Sequence, residues 1–244
     1  MSMKGKNSVI TGAGSGIGRA TAEKMATQGA SLLLVDYNEE ALNDTVNLIK
    51  LKGGEAIGVR ADVSNPKEVK HYVNEAKLKL GRIDFFHNNA GVLQKPSLLH
   101  ETEESEFDRI MEVNVKGAFL GLKYVLAVMV EQHSGVIVNT SSHAGIRAEP
   151  GLGVYAATKH ALAGMTVTAA SEYGSQGIRV NAVCPGGVMT NMTAGMVDRD
   201  HTGFCPMQRL ASASEIAAVV AFLFSEEATY VNGVLMPVDG GLSV

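Results

Sequence analysis

Short apolar runs alternate with longer helical patterns from the first residues to about residue 185. The predicted strands are Ser8–Thr11, Ser31–Asp36, Ala56–Ala61, Ile83–Asn88, Val136–Thr140, Arg179–Val183 and Val234–Val238. Alternation of strands and helices is typical of repeated βαβ units around a parallel sheet. Because such crossovers are right-handed, helices should cover both faces of the sheet. We therefore expect one doubly wound α/β domain over residues 1–244, with ligand at the carboxyl ends of about seven strands.

Two of the predicted helices are unusually apolar. The helix over Glu106–Glu131 is apolar nearly all round, and the helix over Val154–Tyr173 is rich in alanine and apolar residues. A helix of this kind is buried on more than one side. Since a sheet covers only one face, we expect a subunit interface to cover the other.

Composition narrows the possible partners. Hydrophobic residues make up 45% and charged residues 19% of the 244 residues, with a formal net charge of −4. This balance does not favour a nucleic-acid or anionic-membrane partner. The sequence starts without a secretion signal, and no segment is expected to approach a transmembrane span, so a cytoplasmic location is predicted. Cys184 and Cys205 are too few for a disulfide framework and lack metal-ligand spacing, and Cys184 should be a small buried hydrophobe.

A glycine-rich loop connects the first predicted strand to a helix. Gly12, Gly16 and Gly18 lie where backbone N–H groups and the helix dipole can bind a pyrophosphate. The missing Cβ atoms permit a close approach. A turn with only a packing role is the alternative.

An acidic residue, Asp36, ends the second predicted strand. Its carboxylate can accept both hydrogen bonds of an adenosine ribose diol and repels a 2′-phosphate. No Arg or Lys follows immediately, since the next residues are Tyr37, Asn38, Glu39 and Glu40. NAD is therefore favoured over NADP, although Asp36 could also help to start the following helix.

Tyr155 and Lys159 are spaced to share one face of a helix. Alone the spacing is weak evidence, because about 0.4 such pairs are expected by chance in this composition. A unit charge at about 4 Å and an effective dielectric of about 20 gives roughly 4 kcal/mol, or about three pKa units. Lys159 should therefore lower the pKa of the Tyr155 phenol. Desolvation would reduce this shift, and the positive charge of an oxidised nicotinamide would increase it.

Three further polar residues are candidates for the same site. Ser142 follows a predicted strand end, where its hydroxyl could bind a substrate oxygen, and Ser141 is the rival. Asn114 lies within an apolar helix, where its amide needs a partner or serves as a satisfied core group. His143 either faces substrate or is a plain loop histidine.

Taken in chain order, these motifs, with Asn88-Asn89-Ala90-Gly91 and Pro185-Gly186, resemble the short-chain dehydrogenase/reductase family over nearly the whole chain. The glycine spacing is similar to the family's Thr-Gly-x-x-x-Gly-x-Gly rather than to Gly-x-Gly-x-x-Gly. The resemblance implies a Rossmann fold and a homotetramer that uses the helices near 106–131 and 154–173.

The resemblance also implies roles for individual residues. The implied catalytic residues are Asn114 in a proton relay, Ser142, which precedes the tyrosine by the family's thirteen positions, Tyr155 as acid/base, and Lys159. The implied cofactor contacts are Gly12, Ser15, Gly16, Ile17, Gly18, Asp36, Asp62, Val63, Asn89, Ala90, Gly91, Tyr155, Lys159, Pro185, Gly186, Val188 and Thr190. Asp62 and Val63 would contact adenine, although Asp62 could merely cap a loop. Val188 and Thr190 would hold the nicotinamide carboxamide.

These residues predict an oxidoreductase that transfers hydride between NAD(H) and a small secondary alcohol or ketone, without a metal. Thr190–Ser212 should form a substrate lid, and its Met192, Met196, Phe204 and Met207 indicate an adaptable apolar pocket. A 3-oxoacyl-[acyl-carrier-protein] reductase is the alternative within the enzyme class. Asp36 and the non-basic residues Glu131, Gln132 and Gln176 argue against it. A methyltransferase would not need the Ser-Tyr-Lys set, and a non-catalytic NAD-binding regulator is expected to have lost part of it.

Overall fold

The computed structural model describes residues 2–194 and 205–244. The strands of the main sheet are β1 (Asn7–Thr11), β2 (Ser31–Asp36), β3 (Glu55–Arg60), β4 (Phe85–Asn88), β5 (Gly135–Thr140), β6 (Ile178–Pro185) and β9 (Leu235–Val238). They are all parallel and lie in the order β3-β2-β1-β4-β5-β6-β9. The order reverses between β1 and β4, which opens a crevice at their carboxyl ends. The doubly wound prediction is confirmed.

The helices lie on both faces of this sheet. They are α1 (Gly16–Thr27), α2 (Glu39–Leu51), α3 (Pro66–Leu80), α4 (Glu104–Met111), α5 (Ala118–Gln132), α6 (Gly153–Tyr173) and α7 (Ala213–Phe224). One apolar core joins the sheet to α1, α2 and α7. A second core joins the other face to α3, α5 and α6. Burial of both sheet faces explains the continuous apolar runs of the central strands.

Local sequence starts several of these helices. The Asn38 side chain accepts the Ala41 N–H at 3.1 Å, so Asn38, and not Asp36, caps α2. Asn65 caps α3 ahead of Pro66, whose fixed φ suits a first helical position. Ser212 and Glu215 form a capping box on α7. α7 therefore begins at Ala213.

Strand ends differ from the predicted bounds by one or two residues. The largest difference at a strand start is in β4, which begins at Phe85 rather than Ile83. Ile83 is buried outside the strand, where its N–H is accepted by the Gln132 side chain. β7 (Val188–Met189) and β8 (Ala211–Ser212) form a short parallel pair that the sequence does not predict, because each is only two residues long.

The predicted long helix is continuous but not uniformly α-helical. A π-helical turn, Glu112–Gly117, joins α4 to α5. By length and composition, the stretch Glu104–Gln132 could cross a bilayer, contrary to the expectation that no segment approaches that length. However, 56% of its most apolar window is buried inside the molecule. Its apolarity is thus explained to a large extent by the second core.

Candidate active site

A cavity of about 680 Å³ opens over the carboxyl ends of the central strands. All but two of the predicted site residues line it; the exceptions, Gly18 and Asn114, lie behind its wall. The lining residues that were predicted are Gly12, Ser15, Gly16, Ile17, Asp36, Asp62, Val63, Asn89, Ala90, Gly91, Ser142, Tyr155, Lys159, Pro185, Gly186, Val188 and Thr190. The fold therefore brings residues from Gly12 to Thr190 to one site.

The glycine loop is closed tightly onto the start of α1. Gly12 and Gly16 have φ values of +66° and +51°, which favour glycine. A Cβ on Gly12 would lie 2.9 Å from the Asn89 amide nitrogen, and one on Gly18 would overlap the Gly12 carbonyl oxygen. Gly18 therefore lets the helix pack against the loop. The first turn of α1 carries no acidic residue of its own, which leaves the positive end of the helix dipole beside the loop unopposed within the helix. This cradle fits a pyrophosphate.

The Asp36 side chain, which lines the cavity, is held by hydrogen bonds from two backbone N–H groups. Its carboxylate accepts the Gly14 N–H at 2.8 Å and the Asn38 N–H at 2.9 Å. Arg60 is the register partner of Asp36 on β3, a neighbour that the sequence analysis missed because it is distant in the chain. The Arg60 guanidinium lies 4.7 Å from the Tyr37 ring centroid and pairs with Glu68 at 3.2 Å. Within the described residues, Arg60 does not line the cavity.

Asp62 has the loop-capping role considered as an alternative, and it also lines the cavity. One carboxylate oxygen accepts from the Ser64 N–H at 2.9 Å and its hydroxyl at 2.7 Å. Val63 lines the wall beside it. Both residues can thus contact a planar ligand without rearrangement of the loop.

Four polar side chains tie the ends of β1, β4 and β5 together beneath the cavity. The Thr11 hydroxyl accepts the N–H groups of Asn89 and Ala90 at 2.9 and 3.0 Å. The Asn89 amide donates to the Thr11 carbonyl, and its oxygen accepts from the Thr140 hydroxyl at 3.0 Å. Thr140 then has a lone pair for His87 Nε2, 2.9 Å away, so we assign the proton to Nε2. Burial lowers the pKa of His87 to about 3, which keeps it neutral.

Lys159 is buried directly against this network. Its Nζ donates to the Thr140 carbonyl at 2.9 Å and lies 5.5 Å from the Tyr155 ring centroid. Burial lowers the pKa of the Lys159 ammonium to about 8, with a small opposing effect of Cys184. The predicted placement of Tyr155 and Lys159 on one face of α6 is therefore present, and the Thr140 carbonyl fixes the ammonium.

The expected lowering of the Tyr155 pKa is wrong for the protein without cofactor. Burial raises the pKa of the phenol to about 12; the Ser142 hydroxyl lowers it and the Glu149 carboxylate raises it further. Desolvation therefore exceeds the attraction of the nearby cation. The prediction gave the attraction of Lys159 more weight than the desolvation of the phenol, and desolvation is the larger effect at this site.

The choice between the two serines has a structural basis. The Ser141 hydroxyl is buried and donates to the Lys159 carbonyl at 3.0 Å, so it ties β5 to α6. Ser142 lies in the cavity wall, and its oxygen accepts only the Ala144 N–H at 3.2 Å in the described residues. The hydroxyl also lies close enough to the Tyr155 phenol to lower its pKa, so the two hydroxyl groups converge on one point in the cavity.

Asn114 lies in the π-helical turn and is 2% exposed. Its oxygen accepts the Val92 N–H at 2.8 Å, and its nitrogen donates to the Val92 carbonyl at 2.9 Å and the Thr158 hydroxyl at 3.2 Å. Gly91 separates it from Lys159, since a Cβ there would lie 3.2 Å from Asn114 Oδ1 and 3.5 Å from Lys159 Nζ. The amide is thus fully satisfied and pins the segment after β4.

The opposite wall is formed by the segment that follows β6. Pro185, Gly186 and Val188 line it, and a Cβ on Gly186 would lie 3.0 Å from Asp239. The Thr190 methyl approaches Gly16 of the glycine loop, while the Thr190 N–H donates to the Thr193 hydroxyl at 3.1 Å. This wall therefore meets the glycine loop across the cavity.

Several residues of the wall were not among the predicted site residues. They are Tyr37, Ala61, Val92, Arg109, Val113, Thr140 and Thr193; Ser141, named only as the rival of Ser142, and the predicted lid residue Met192 also line the cavity. Arg109 and Val113 are four positions apart on the α4 stretch, a helical spacing that could have indicated a shared face. Nothing local indicated that this face meets the cavity.

The remaining candidates lie beside the cavity. His143 is 9% exposed, and its Nδ1 lies 3.1 Å from Glu149 Oε2. Cys184 is buried as predicted, and burial raises the pKa of its thiol to about 11. The Cys205 thiol donates to the Asp239 and Gly240 carbonyls. Of the predicted lid residues, Met192 and Met207 are exposed, whereas Met196 and Phe204 lie outside the described residues.

Known proteins share this architecture. A family model described as enoyl-(acyl carrier protein) reductase matches residues 12–243. Levodione reductase of Leifsonia aquatica is 42% identical over 96% of this chain and 93% of its own length. Cyclohexanol dehydrogenase of an Acinetobacter species is 37% identical over 98% of this chain and 96% of its own.

Solved structures agree with the sequence relatives. The crystal structure of levodione reductase has a TM-score of 0.95 at 41% identity, covering 98% of both chains. A 3-ketoacyl-(acyl-carrier-protein) reductase from Brucella melitensis complexed with NADH has a TM-score of 0.95 at 34% identity, covering 100% of both.

The chain belongs to the short-chain dehydrogenase/reductase family. It is an oxidoreductase, and its cofactor is a nicotinamide dinucleotide. The site fits such a group on its own residues, since the glycine cradle, the Asp36 carboxylate and the Tyr155–Lys159 pair lie along one cavity. The substrate of this family member is a small molecule.

Replacing the buried Lys159 with Met should stabilise the protein without cofactor at neutral pH. A pKa lowered from 10.5 to about 8 makes the charged form unfavourable in the fold by roughly 3 kcal/mol. The variant also loses the hydrogen bond to the Thr140 carbonyl, which offsets about 1–2 kcal/mol of this gain in stability. We expect a net gain of about 1–2 kcal/mol in the free energy of unfolding at pH about 7, measured by denaturant titration.

The advantage of the Lys159→Met variant should depend on pH. The unfavourable contribution of Lys159 is fully present below pH about 8 and is relieved as the pH rises towards about 10.5. The difference between variant and wild type should therefore shrink between pH about 8 and 10. A variant that is less stable at pH about 7 would show that the bond to Thr140 outweighs desolvation.

Proposed function

We propose that this protein is an NAD-dependent oxidoreductase of small secondary alcohols and ketones. The observation that carries the proposal is the meeting of Ser142, Tyr155 and Lys159 at one end of a cavity that Asp36 lines at the other. Such an arrangement suits a reaction in which a carbonyl oxygen is held by two hydroxyl groups. The names of two relatives, levodione reductase and cyclohexanol dehydrogenase, support the substrate class.

Each residue has a separable part in this reaction. Tyr155 takes the alcohol proton in oxidation and returns it in reduction. Ser142 donates its hydroxyl proton to the same substrate oxygen and fixes its position. Lys159 supplies positive charge beside the phenol and a donor for the cofactor ribose, and Asn114 maintains the path by which protons reach Lys159. A bound oxidised nicotinamide would supply the hydride acceptor and a positive charge beside Tyr155.

NAD, rather than NADP, is the proposed cofactor. The Asp36 carboxylate would accept bonds from a ribose diol and would repel a 2′-phosphate. The nearby Arg60 is engaged by Glu68 and Tyr37, which leaves Asp36 as the dominant charge at this end. The other proposed contacts are those of the glycine loop, Asp62, Val63, Asn89, Ala90 and Gly91, with Pro185, Gly186, Val188 and Thr190 at the nicotinamide end.

A small, mostly apolar substrate is favoured by the rest of the wall. Val92, Val113, Val188 and Met192 contribute apolar surface. We propose that the segment near 190–212 closes over the substrate, since Met192 and Thr193 at its start already line the cavity.

A carrier-protein substrate is the second candidate. It is favoured by the likeness to the 3-ketoacyl-(acyl-carrier-protein) reductase. Because that protein was solved with NADH, a preference for NAD does not by itself argue against a carrier-protein substrate. Against it, Glu131 pairs with Lys77 and Gln132 holds the Ile83 backbone, so neither offers a basic contact to an acidic carrier.

We also propose a homotetramer in the cytoplasm, assembled through the helices near 106–131 and 154–173. The exposed Phe107, Phe119 and Val167 lie on these helices, with 45%, 49% and 42% of their surface accessible. Two unpaired cysteines suit a reducing compartment. Light scattering that gave a stable monomer, or a Phe119→Glu variant with unchanged mass, would contradict the assembly.

The cofactor proposal predicts that kcat/KM for NAD exceeds that for NADP by at least about tenfold, equivalent to about 1.4 kcal/mol. Asp36→Asn should reduce this ratio, because it removes the repulsive charge while keeping the side-chain shape. Glu39→Gln removes the same charge from the neighbouring first turn of α2 and should leave the ratio unchanged. Equal efficiency of wild type with both cofactors would reject the assignment.

The catalytic proposal predicts that Tyr155→Phe lowers kcat for alcohol oxidation by at least about a hundredfold, because the ring stays but the transferable proton is lost. NAD affinity, measured by NADH fluorescence or calorimetry, should change little. The matched control is Tyr72→Phe, which removes a fully buried hydroxyl without a partner in the described residues and should leave kcat unchanged.

The same assay distinguishes the two substrate classes. Simple cyclic and linear ketones should give a higher kcat/KM than 3-oxoacyl thioesters, and the Tyr155→Phe loss should appear with each active substrate. A clear preference for carrier-linked 3-oxoacyl groups would overturn the substrate assignment, and near-normal turnover by the Phe variant would overturn the catalytic one.

A further inference from the structure

The side chain of Gln94 connects the segment after β4 to the helix that carries Tyr155. It is 1% exposed. Its oxygen accepts the N–H groups of Val154 and Tyr155, each at 3.0 Å, from a position about sixty residues earlier in the chain. Its nitrogen donates to the hydroxyl groups of Ser97 at 3.2 Å and Thr102 at 3.4 Å. Each polar atom of this amide thus has a defined role.

The two accepted N–H groups are ones that a helix cannot satisfy internally. The first four N–H groups of an α-helix lack an intrahelical partner and need a cap. The N-cap residue of α6 is Leu152, which has no side-chain acceptor. Gln94 therefore serves as the cap from another part of the chain. One of the capped groups is the N–H of Tyr155 itself.

The residues just before Gln94 in the chain are fixed by side chains of α4 and the π-helical turn. Asn114 holds both backbone groups of Val92, and the Arg109 guanidinium donates to the Leu93 carbonyl at 3.0 Å. Residues 92–94 therefore form a short connection, bonded at each residue, between the π-helical turn and the first turn of α6. A shift in either element must be accommodated by the Gln94 amide.

We propose that Gln94 is a positioning residue, which sets the orientation of Tyr155 by capping the first turn of α6 from the segment after β4. The proposal rests on the role of Tyr155 as the acid/base. Gln94 itself does not line the cavity within the described residues, so it acts through Tyr155 rather than on substrate. A neutral amide suits this place, because a second carboxylate besides Glu149 would oppose formation of the phenolate.

Two substitutions at Gln94 separate positioning from packing. Gln94→Met keeps the length of the side chain but removes the acceptor, and should lower kcat by about tenfold or more while KM for NAD changes less than about twofold. Gln94→Glu keeps an acceptor for both N–H groups and should restore most of kcat at high pH. Its negative charge should move the rise of oxidation rate with pH to higher pH by about half a unit or more.

The matched control is Gln132→Met. Gln132 holds the Ile83 N–H at 2.9 Å and the Ile83 carbonyl at 2.8 Å, so it makes the same kind of bond far from the cavity. Its replacement should lower the melting temperature but leave kcat and the pH profile as in wild type. The other titratable groups around Tyr155, namely Lys159, Glu149 and His143, are unchanged in all three variants.

Normal kcat in Gln94→Met, or an equal loss of kcat in Gln132→Met, would overturn the proposal. If Gln94→Met fails to fold, the pH profile of Gln94→Glu decides, since an unshifted profile overturns the proposal and an upward shift supports it. Tyr155→Phe is measured in the same series. If that variant stays active, the catalytic assignment fails; if it is inactive while Gln94→Met is normal, only the positioning role fails.

Discussion

The hydrogen bond from the Lys159 ammonium to the Thr140 carbonyl is the contact on which the site depends. It fixes α6 to the carboxyl end of β5 and holds a positive charge where water is excluded. Burial disfavours both charged forms, lowering the pKa of Lys159 to about 8 and raising the pKa of Tyr155 to about 12, so at neutral pH the phenol stays protonated while the ammonium keeps most of its charge. A cationic nicotinamide in the cavity beside the pair would favour the phenolate.

Thr140 also connects this bond to the rest of the sheet. The Thr140 hydroxyl donates to the Asn89 side chain and accepts from His87 Nε2, and the Asn89 amide donates to the Thr11 carbonyl. These hydrogen bonds hold the ends of three strands together. A buried polar network of this kind is stable only if nearly every group is paired. The exception is His87 Nδ1, which lacks a partner in the described residues; as an unprotonated nitrogen it costs less than an orphaned donor would.

Local and non-local features differ in how well the sequence predicts them. The shared helix face of Tyr155 and Lys159 follows from their spacing, because helix geometry is local. The place of Asp36 at a strand end is visible in the apolar pattern. Arg60 beside Asp36 and Gln94 beneath Tyr155 depend on strand register and on a loop that crosses to another helix, which no local pattern encodes. The direction of the Tyr155 pKa shift was mispredicted for the same reason, because desolvation depends on burial by the whole fold.

The central claim is that burial keeps Tyr155 protonated until the cofactor brings positive charge to the site. Ultraviolet difference titration of wild type against Tyr155→Phe, between pH about 7 and 10, tests it most directly. The free protein should show almost no Tyr155 phenolate up to pH about 10, where an unperturbed phenol is half ionised. Saturating NAD should make the phenolate signal appear within this range. Ionisation of Tyr155 in the free protein at pH about 9, or no change on addition of NAD, would contradict the account.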